Sequence, residues 1–291
     1  MNALQTGIGQ GIEFFALALF TAFTTSGICA FAVMAARIGF GGESGDARMR
    51  LERFLVIPLG FAVFGLIAAA AHLGRPSNVL FVLTGAGRSP LSNEIVEAVA
   101  FFAIAGLVWY ASFSERISDH IRLGLLGAAC VAGALFMAGT ANAYSIATIV
   151  TWNLPYTQVN MVCAGIMGAI PISLLAFSAS GIPLPRAWAR GLLVMGAVAS
   201  LTAFGTQMMQ YGAFASLRDA TSGALDLVPF CYAASAGSLA LAALSLGIDA
   251  SRVAKGQGLG VARASFSCAI MMGAIVMVRF VFYAVHMTVG F

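Results

Sequence analysis

Few side chains in this 291-residue protein are placed to do chemistry. With the charged loops set aside, the ionisable residues in or beside long apolar runs are Glu13, His72, Glu94, Glu97, Arg279 and His286. Glu94 and Glu97 are three apart, so on a helix they share a face. Arg279, Tyr283 and His286 fall at i, i+4 and i+7 and share a face for the same reason. His72 and Glu94 bracket the stretch HLGRPSNVLFVLTGAGRSPLSNE, which joins the end of one apolar run to the start of the next. Ionisable groups at membrane depth are costly unless paired or used, so this corner is where chemistry is expected.

A histidine and a carboxylate suit the oxidation of a quinol. That reaction releases two electrons and two protons, and it needs a proton acceptor and hydrogen-bond anchors for the ring oxygens. An imidazole with a pKa near ~6.5 fits the first task, and a partly buried glutamate can pass a proton outward. An apolar crevice between helices would take an isoprenoid tail. The same residues leave two other readings open. A proton- or ion-coupled secondary transporter would use Glu94, Glu97 and Arg279 as its path. An anchor carrying b-type haem would use His72 and His286 as axial ligands. Arg279 also has a structural reading, as the partner of Glu13 or Glu97, because a buried arginine needs a counter-charge.

The elements that position these residues follow from composition. Hydrophobic residues make up 60% of the chain and charged residues 9%, against roughly 25% charged in soluble domains. Apolar runs of about 20 residues, each long enough to cross a bilayer, recur from end to end. The expected fold is an all-α membrane protein, an eight-transmembrane-helix bundle forming one domain over residues 1–291. Its spans are read as Ile12–Ala36, Phe54–Leu73, Glu94–Phe113, Leu123–Ile146, Val159–Ala179, Gly191–Phe214, Val228–Ile248 and Ala264–Met287. Small polar stretches such as Thr24-Thr25-Ser26-Gly27 read as sites of close helix packing.

Charge sets the orientation. Loops after the odd spans hold Arg37, Arg48, Arg50, Arg53, Arg116, Arg122, Arg186, Arg190, Arg252, Lys255 and Arg263; loops after the even spans hold Arg75, Arg88 and Arg218. The richer side belongs in the cytoplasm, so both termini and the His72–Glu94 loop are expected on the outer side. The polar faces then suggest a single chamber near the outer surface, lined by the first, second, third and eighth spans. Residues 37–53 read as a solvated cytoplasmic connector, and Trp152 and Tyr156 as an interfacial aromatic belt. The five cysteines stand singly in apolar runs with no C-x-x-C pair, which fits small buried hydrophobes and no metal site.

Three motifs carry a family resemblance: HLGRP (His72–Pro76), LSNEI (Leu91–Ile95) and the terminal RFVFYAVHMTVG (Arg279–Gly290), with a weaker echo in Glu13 and Phe20–Phe23. With the eight-helix layout, they make the whole chain resemble the DmsC-type membrane anchor subunit of dimethyl sulfoxide reductase-like molybdoenzymes. The resemblance implies an anchor without haem that sits in a bacterial inner membrane, with its outer side in the periplasm, and oxidises menaquinol. Its electrons would pass to a partner iron–sulfur subunit and on to a molybdopterin catalytic subunit holding the molybdenum cofactor. It also implies a quinol site at His72, Gly74 and Glu94, with His72 and Glu94 handling protons. Arg75 departs from a version of the motif with a small polar residue before the proline, and is counted with the quinol-binding residues. Glu13, Glu97, Arg279, Tyr283 and His286 are expected as support or proton relay.

Overall fold

The computed structural model describes residues 3–43, 45–72, 82–218, 223–228 and 230–288, without the side chains of residues 3–6 and 72. Ten α-helices run through the described residues: α1 Ala3–Glu13, α2 Phe15–Phe40, α3 Gly45–Arg53, α4 Val56–His72, α5 Pro90–Ala111, α6 Asp119–Ala143, α7 Pro155–Ser180, α8 Arg186–Ser216, α9 Cys231–Ala254 and α10 Val261–Ala284. No strand occurs among them, only the isolated bridges Ile149–Thr288 and Arg218–Gly223. Eight stretches are long and apolar enough to cross a bilayer: α2, α3 with α4 (Gly45–Ala71), and α5 to α10. The protein is a multi-pass membrane protein.

The helices outrun the apolar runs at several ends. The fifth span, expected from Val159, begins at Pro155, and the sixth, expected over Gly191–Phe214, extends over Arg186–Ser216. Hydropathy marks where lipid begins, whereas a helix stops where its backbone hydrogen bonds stop. Pro90 and Pro155 open α5 and α7 from a first-turn position that has no intrahelical N–H partner to lose.

α2 and α7 form the centre and are the most buried spans. α2 lies against α4 and α7, the α5–α6 pair leans on α2 through α6, and α8 and α9 close the far side against α7 and α10. Thr24 and Gly27 do the packing work expected of them. A Cβ on Gly27 would sit 2.6 Å from the Pro58 carbonyl oxygen, and the Thr24 hydroxyl donates to the Ala62 carbonyl at 3.1 Å. Removing a side chain at the crossing lets the two backbones approach, which is where membrane helices gain dispersion energy.

The arginine-rich end is packed, not solvated. Residues 37–53 were expected to be an open connector, yet Arg37 pairs with Glu43, and α3 lays Arg48, Leu51 and Glu52 inward. Glu52, only 1% exposed, lies between Arg48 at 3.4 Å and Arg122. Arg48 also reaches Asp119 at 3.3 Å, and Arg263 pairs with Asp249 at 2.7 Å. The Trp109 indole donates to the Arg53 carbonyl at 3.0 Å. Short loops draw the charges under the helix ends, and each buried arginine there finds a carboxylate.

Candidate functional site

At the opposite end of the bundle the charges are arranged differently. The first turns of α5 turn Ser92 and Glu94 inward, and Glu94 is 4% exposed. Its carboxylate lies beside the Thr140 hydroxyl of α6, but Oε1 of Glu94 and that hydroxyl have no well-formed hydrogen bond among the described residues. Glu97 stands next to it as the nearest like charge. Its Oε2 presses into the space left by the missing side chain of Gly139, and is likewise buried without a partner among the described residues. The two carboxylates therefore do share a face of α5, and that face is turned to the last turns of α6.

Tyr144, just past α6, links this pair to α10. Its ring meets Tyr283 edge to face at 5.6 Å, and Glu94, Tyr283 and Arg279 all act on it electrostatically. Tyr283 is fully buried; its hydroxyl lies among Thr21, Tyr144 and Arg279 without a well-formed hydrogen bond to any. Arg279, 2% exposed, donates from Nε to the Thr21 hydroxyl of α2 at 2.9 Å. Its guanidinium carbon lies 4.3 Å from the Phe282 ring centre and 5.4 Å from that of Tyr283. Its Nη2 has no partner among the described residues.

No carboxylate among the described residues pairs with Arg279, so the expected bridge to Glu13 or Glu97 does not form. The π faces of Phe282 and Tyr283 supply part of the compensation. A buried carboxylate and a buried cation thus lie on either side of two tyrosines. Each hydroxyl there can donate and accept.

His286 stands beyond the end of α10. It stacks on Phe14 at 5.6 Å and meets Trp152 edge-on at 5.0 Å. Burial pushes its imidazole below the usual histidine range, while a backbone hydrogen bond and the nearby Glu13 carboxylate pull the other way. Trp152 is no member of an interfacial belt. It is 3% exposed, donates to the Phe282 carbonyl at 3.0 Å, and packs among Phe14, Tyr144, Phe282 and Tyr283. Its loop is pinned to the C-terminal segment by Thr151 donating to the Val285 carbonyl at 2.6 Å and by the Val150 N–H donating to that of Met287 at 3.1 Å. An indole can sit this deep because its one N–H is satisfied.

His72 closes α4 by its backbone, and its side chain, with Gly74 and Arg75, lies outside the described residues. Of the expected chamber, Glu94, Glu97, Arg279 and Tyr283 are drawn together with Thr21 of α2. Glu13 and His286 form the outer edge. What the sequence reading missed is the fourth span, which brings Thr140 and Tyr144, and the Trp152 loop. Thr140 and Tyr144 are an i, i+4 polar pair at the end of an apolar run, the same signal that singled out Glu94 and Glu97. All five cysteines are free, and no group of three His, Cys, Asp or Glu side chains that could hold a metal stands among the described residues.

The protein is similar to known proteins over nearly its whole length. Residues 8–285 match the family model for the DMSO reductase anchor subunit (DmsC). A subunit of the anaerobic dimethyl sulfoxide reductase of Escherichia coli (strain K12) is 29% identical, covering 97% of this sequence and 98% of the relative. The anaerobic dimethyl sulfoxide reductase subunit YnfH of the same strain is 26% identical over 92% of this sequence and 94% of its own length. A subunit of the anaerobic dimethyl sulfoxide reductase of Haemophilus influenzae is 25% identical over 84% and 85%.

Proposed function

Because this chain belongs to the DMSO reductase anchor subunit (DmsC) family, we propose that it is the quinol-oxidising subunit of a molybdoenzyme complex. The whole of residues 1–291 serves as one anchor domain in a bacterial inner membrane. The arginine-rich loops face the cytoplasm, and both termini and the 72–94 corner face the periplasm. Its partners are an iron–sulfur subunit and a molybdopterin catalytic subunit, as the relatives' names suggest for a reductase of several subunits. The terminal acceptor is reduced on those partners.

The observation that carries this reading is Glu94: a carboxylate 4% exposed, with one oxygen unpartnered among the described residues, at the same end of the bundle as the C-terminus of α4. A paired carboxylate is held in its ionised state by structure. An unpartnered one can take up and release protons, and it persists in a membrane core chiefly where it is used. Menaquinol, the substrate, enters with one hydroxyl toward His72 and the other toward Glu94. Gly74 and Arg75 belong to the same quinol site, with Arg75 a donor to a quinone oxygen. His72 accepts one proton and Glu94 the second, which it delivers to the outer aqueous side. Two electrons leave to the partner's iron–sulfur cluster, so quinol becomes quinone with two protons and two electrons accounted for. Glu97, Tyr283 and Arg279 set the field around Glu94, with Glu13 and His286 at the exit.

The test uses the assembled complex. His72→Ala and Glu94→Gln are expected to abolish menaquinol-dependent turnover while reduction of the terminal acceptor from an artificial dye donor continues. Loss of assembly in both variants would make these residues structural and end the reading.

A further inference from the structure

A second polar region lies on the other side of Arg279, between α7, α8, α9 and α10. In the sequence no charge marks it, since it holds amides and hydroxyls but no carboxylate. Asn160 of α7 accepts from the Thr206 hydroxyl and donates to Gln210 Oε1 at 3.3 Å. Gln207 Nε2 donates to the Ser235 hydroxyl at 2.7 Å, and that hydroxyl donates to the Tyr232 carbonyl at 2.8 Å. Gln207 and Gln210 are 4% and 6% exposed. Amide and hydroxyl side chains gathered in one seam of an apolar bundle are costly unless each finds partners.

Two partners are missing. Among the described residues Arg279 Nη2 has no acceptor and Gln207 Oε1 has no donor. The orientation of the Gln207 amide follows from its neighbours. The Ser235 proton is committed to the Tyr232 carbonyl, so Ser235 must accept from Gln207, and the oxygen is the atom left over. Both residues border the same cavity of about 20 Å³, which Asn160, Gln210 and Tyr232 also line. A second void of about 10 Å³ shares Asn160 and Gln207 and continues deeper along the bundle.

We propose that this cavity is an internal water site that solvates the Arg279 guanidinium. A ligand that pairs both orphans must accept from a guanidinium and donate to an amide oxygen, and water does both. A small anion would satisfy Arg279 but would face the lone pairs of Gln207. The volume agrees, since roughly 10–15 Å³ suffices for one water with two to four polar partners. The site explains how the buried Arg279 guanidinium is accommodated with no carboxylate beside it among the described residues: Thr21, two aromatic faces and bound water share the work. It leaves Arg279 as a fixed positive charge, hydrated on one side and facing Tyr283, Tyr144 and Glu94 on the other. The water site is independent of the quinol reading.

Microsecond radiolytic hydroxyl labelling of the intact complex in lipid nanodiscs, read by mass spectrometry, tests it without relying on activity. Bound water should make Tyr232 and Phe282, which line the cavity, label far faster than Phe136 and Met34, which are fully buried away from it. Gln207→Met, which keeps length but removes the acceptor, should bring Tyr232 and Phe282 down to the Phe136 level. Density for a water within hydrogen-bond distance of Arg279 Nη2 and Gln207 Oε1 in a high-resolution map of the wild-type complex should agree, and needs no variant. Labelling of wild-type Tyr232 and Phe282 no faster than Phe136 would overturn the proposal, as would chloride-dependent protection of these residues, which marks an anion. Should Glu94→Gln leave quinol turnover intact while the labelling pattern holds, the quinol assignment falls and the water site stands.

Discussion

Glu52 and Glu94 are both carboxylates sealed inside the bundle, at opposite ends of it. Glu52 sits between Arg48 and Arg122, and Arg48 reaches on to Asp119. Glu94 has a threonine, a tyrosine and a second glutamate for neighbours, and no cation pairs with it among the described residues. A cation is near: Arg279 lies beyond the two tyrosines and does not close the gap. At the arginine-rich end every buried arginine is paired with a carboxylate. The other end holds Arg279, Glu94 and Glu97 close together yet unpaired among the described residues, an arrangement that is costly for packing alone. On the proposed reading, charge that is buried and paired serves architecture, and charge that is buried and unpaired serves the working site.

That contrast predicts opposite outcomes for the same substitution. Glu52→Gln strands Arg122 and Arg48 and should destabilise the protein by about 3–5 kcal/mol, the usual cost of breaking a buried pair from one side. The measurement is yield and unfolding midpoint in detergent, and a loss below about 1 kcal/mol would mean the network is hydrated and ordinary. Glu94→Gln should leave the unfolding midpoint unchanged or higher, since it neutralises a charge that no described residue pairs. It should instead lower quinol-dependent turnover by about 10²-fold or more, the scale of losing a proton-transfer group. If Glu94→Gln destabilises the fold as Glu52→Gln does, the two ends are alike and the comparison fails.

A third substitution probes how Glu97 is seated. Gly139→Ala places a methyl where Glu97 Oε2 now lies, and should shift the carboxylate with a loss of about 1–3 kcal/mol from overpacking. Quinol turnover should fall along with stability. Unchanged turnover would place Glu97 outside the working set.

The smallest expected effect is a pH dependence at the outer edge. His286 binds protons less readily in the folded protein than in the unfolded one, because burial outweighs the pull of Glu13. Its contribution is therefore complete above the ordinary histidine pKa of ~6.5. As pH falls through that value toward the lower folded pKa, the unfolded state binds more protons and stability declines. Relative to His286→Gln, the wild type should lose thermal stability between about pH 7 and pH 5. Parallel curves for the two proteins would show that His286 does not contribute in this way.

Some of this was legible in the residues. The spacing of Glu94 with Glu97, and of Arg279 with Tyr283, put each pair on one helical face, and the structure turns those faces toward one region. Thr140 with Tyr144 was legible by the same rule and was passed over because neither residue is ionised at neutral pH. The buried amides of α7 and α8 gave weaker signals still, since a lone Gln in an apolar run says nothing about which neighbour will meet it.

The sequence by itself determined that this protein lies in a membrane, that it crosses eight times, and which few charges stand beside hydrocarbon. Those follow from local facts: the length and apolarity of each run, and the helical period within it. Tertiary structure alone decided who meets whom. It paired Glu52, from a loop read as solvated, with Arg122, buried Trp152, left Arg279 without the expected carboxylate among the described residues, and set Tyr144 between that arginine and Glu94. The physical reason is register. Whether two polar side chains on different helices touch depends on the depth and rotation of each helix, and those are fixed by small-residue crossings such as Gly27 on Pro58. No spacing within one segment encodes them.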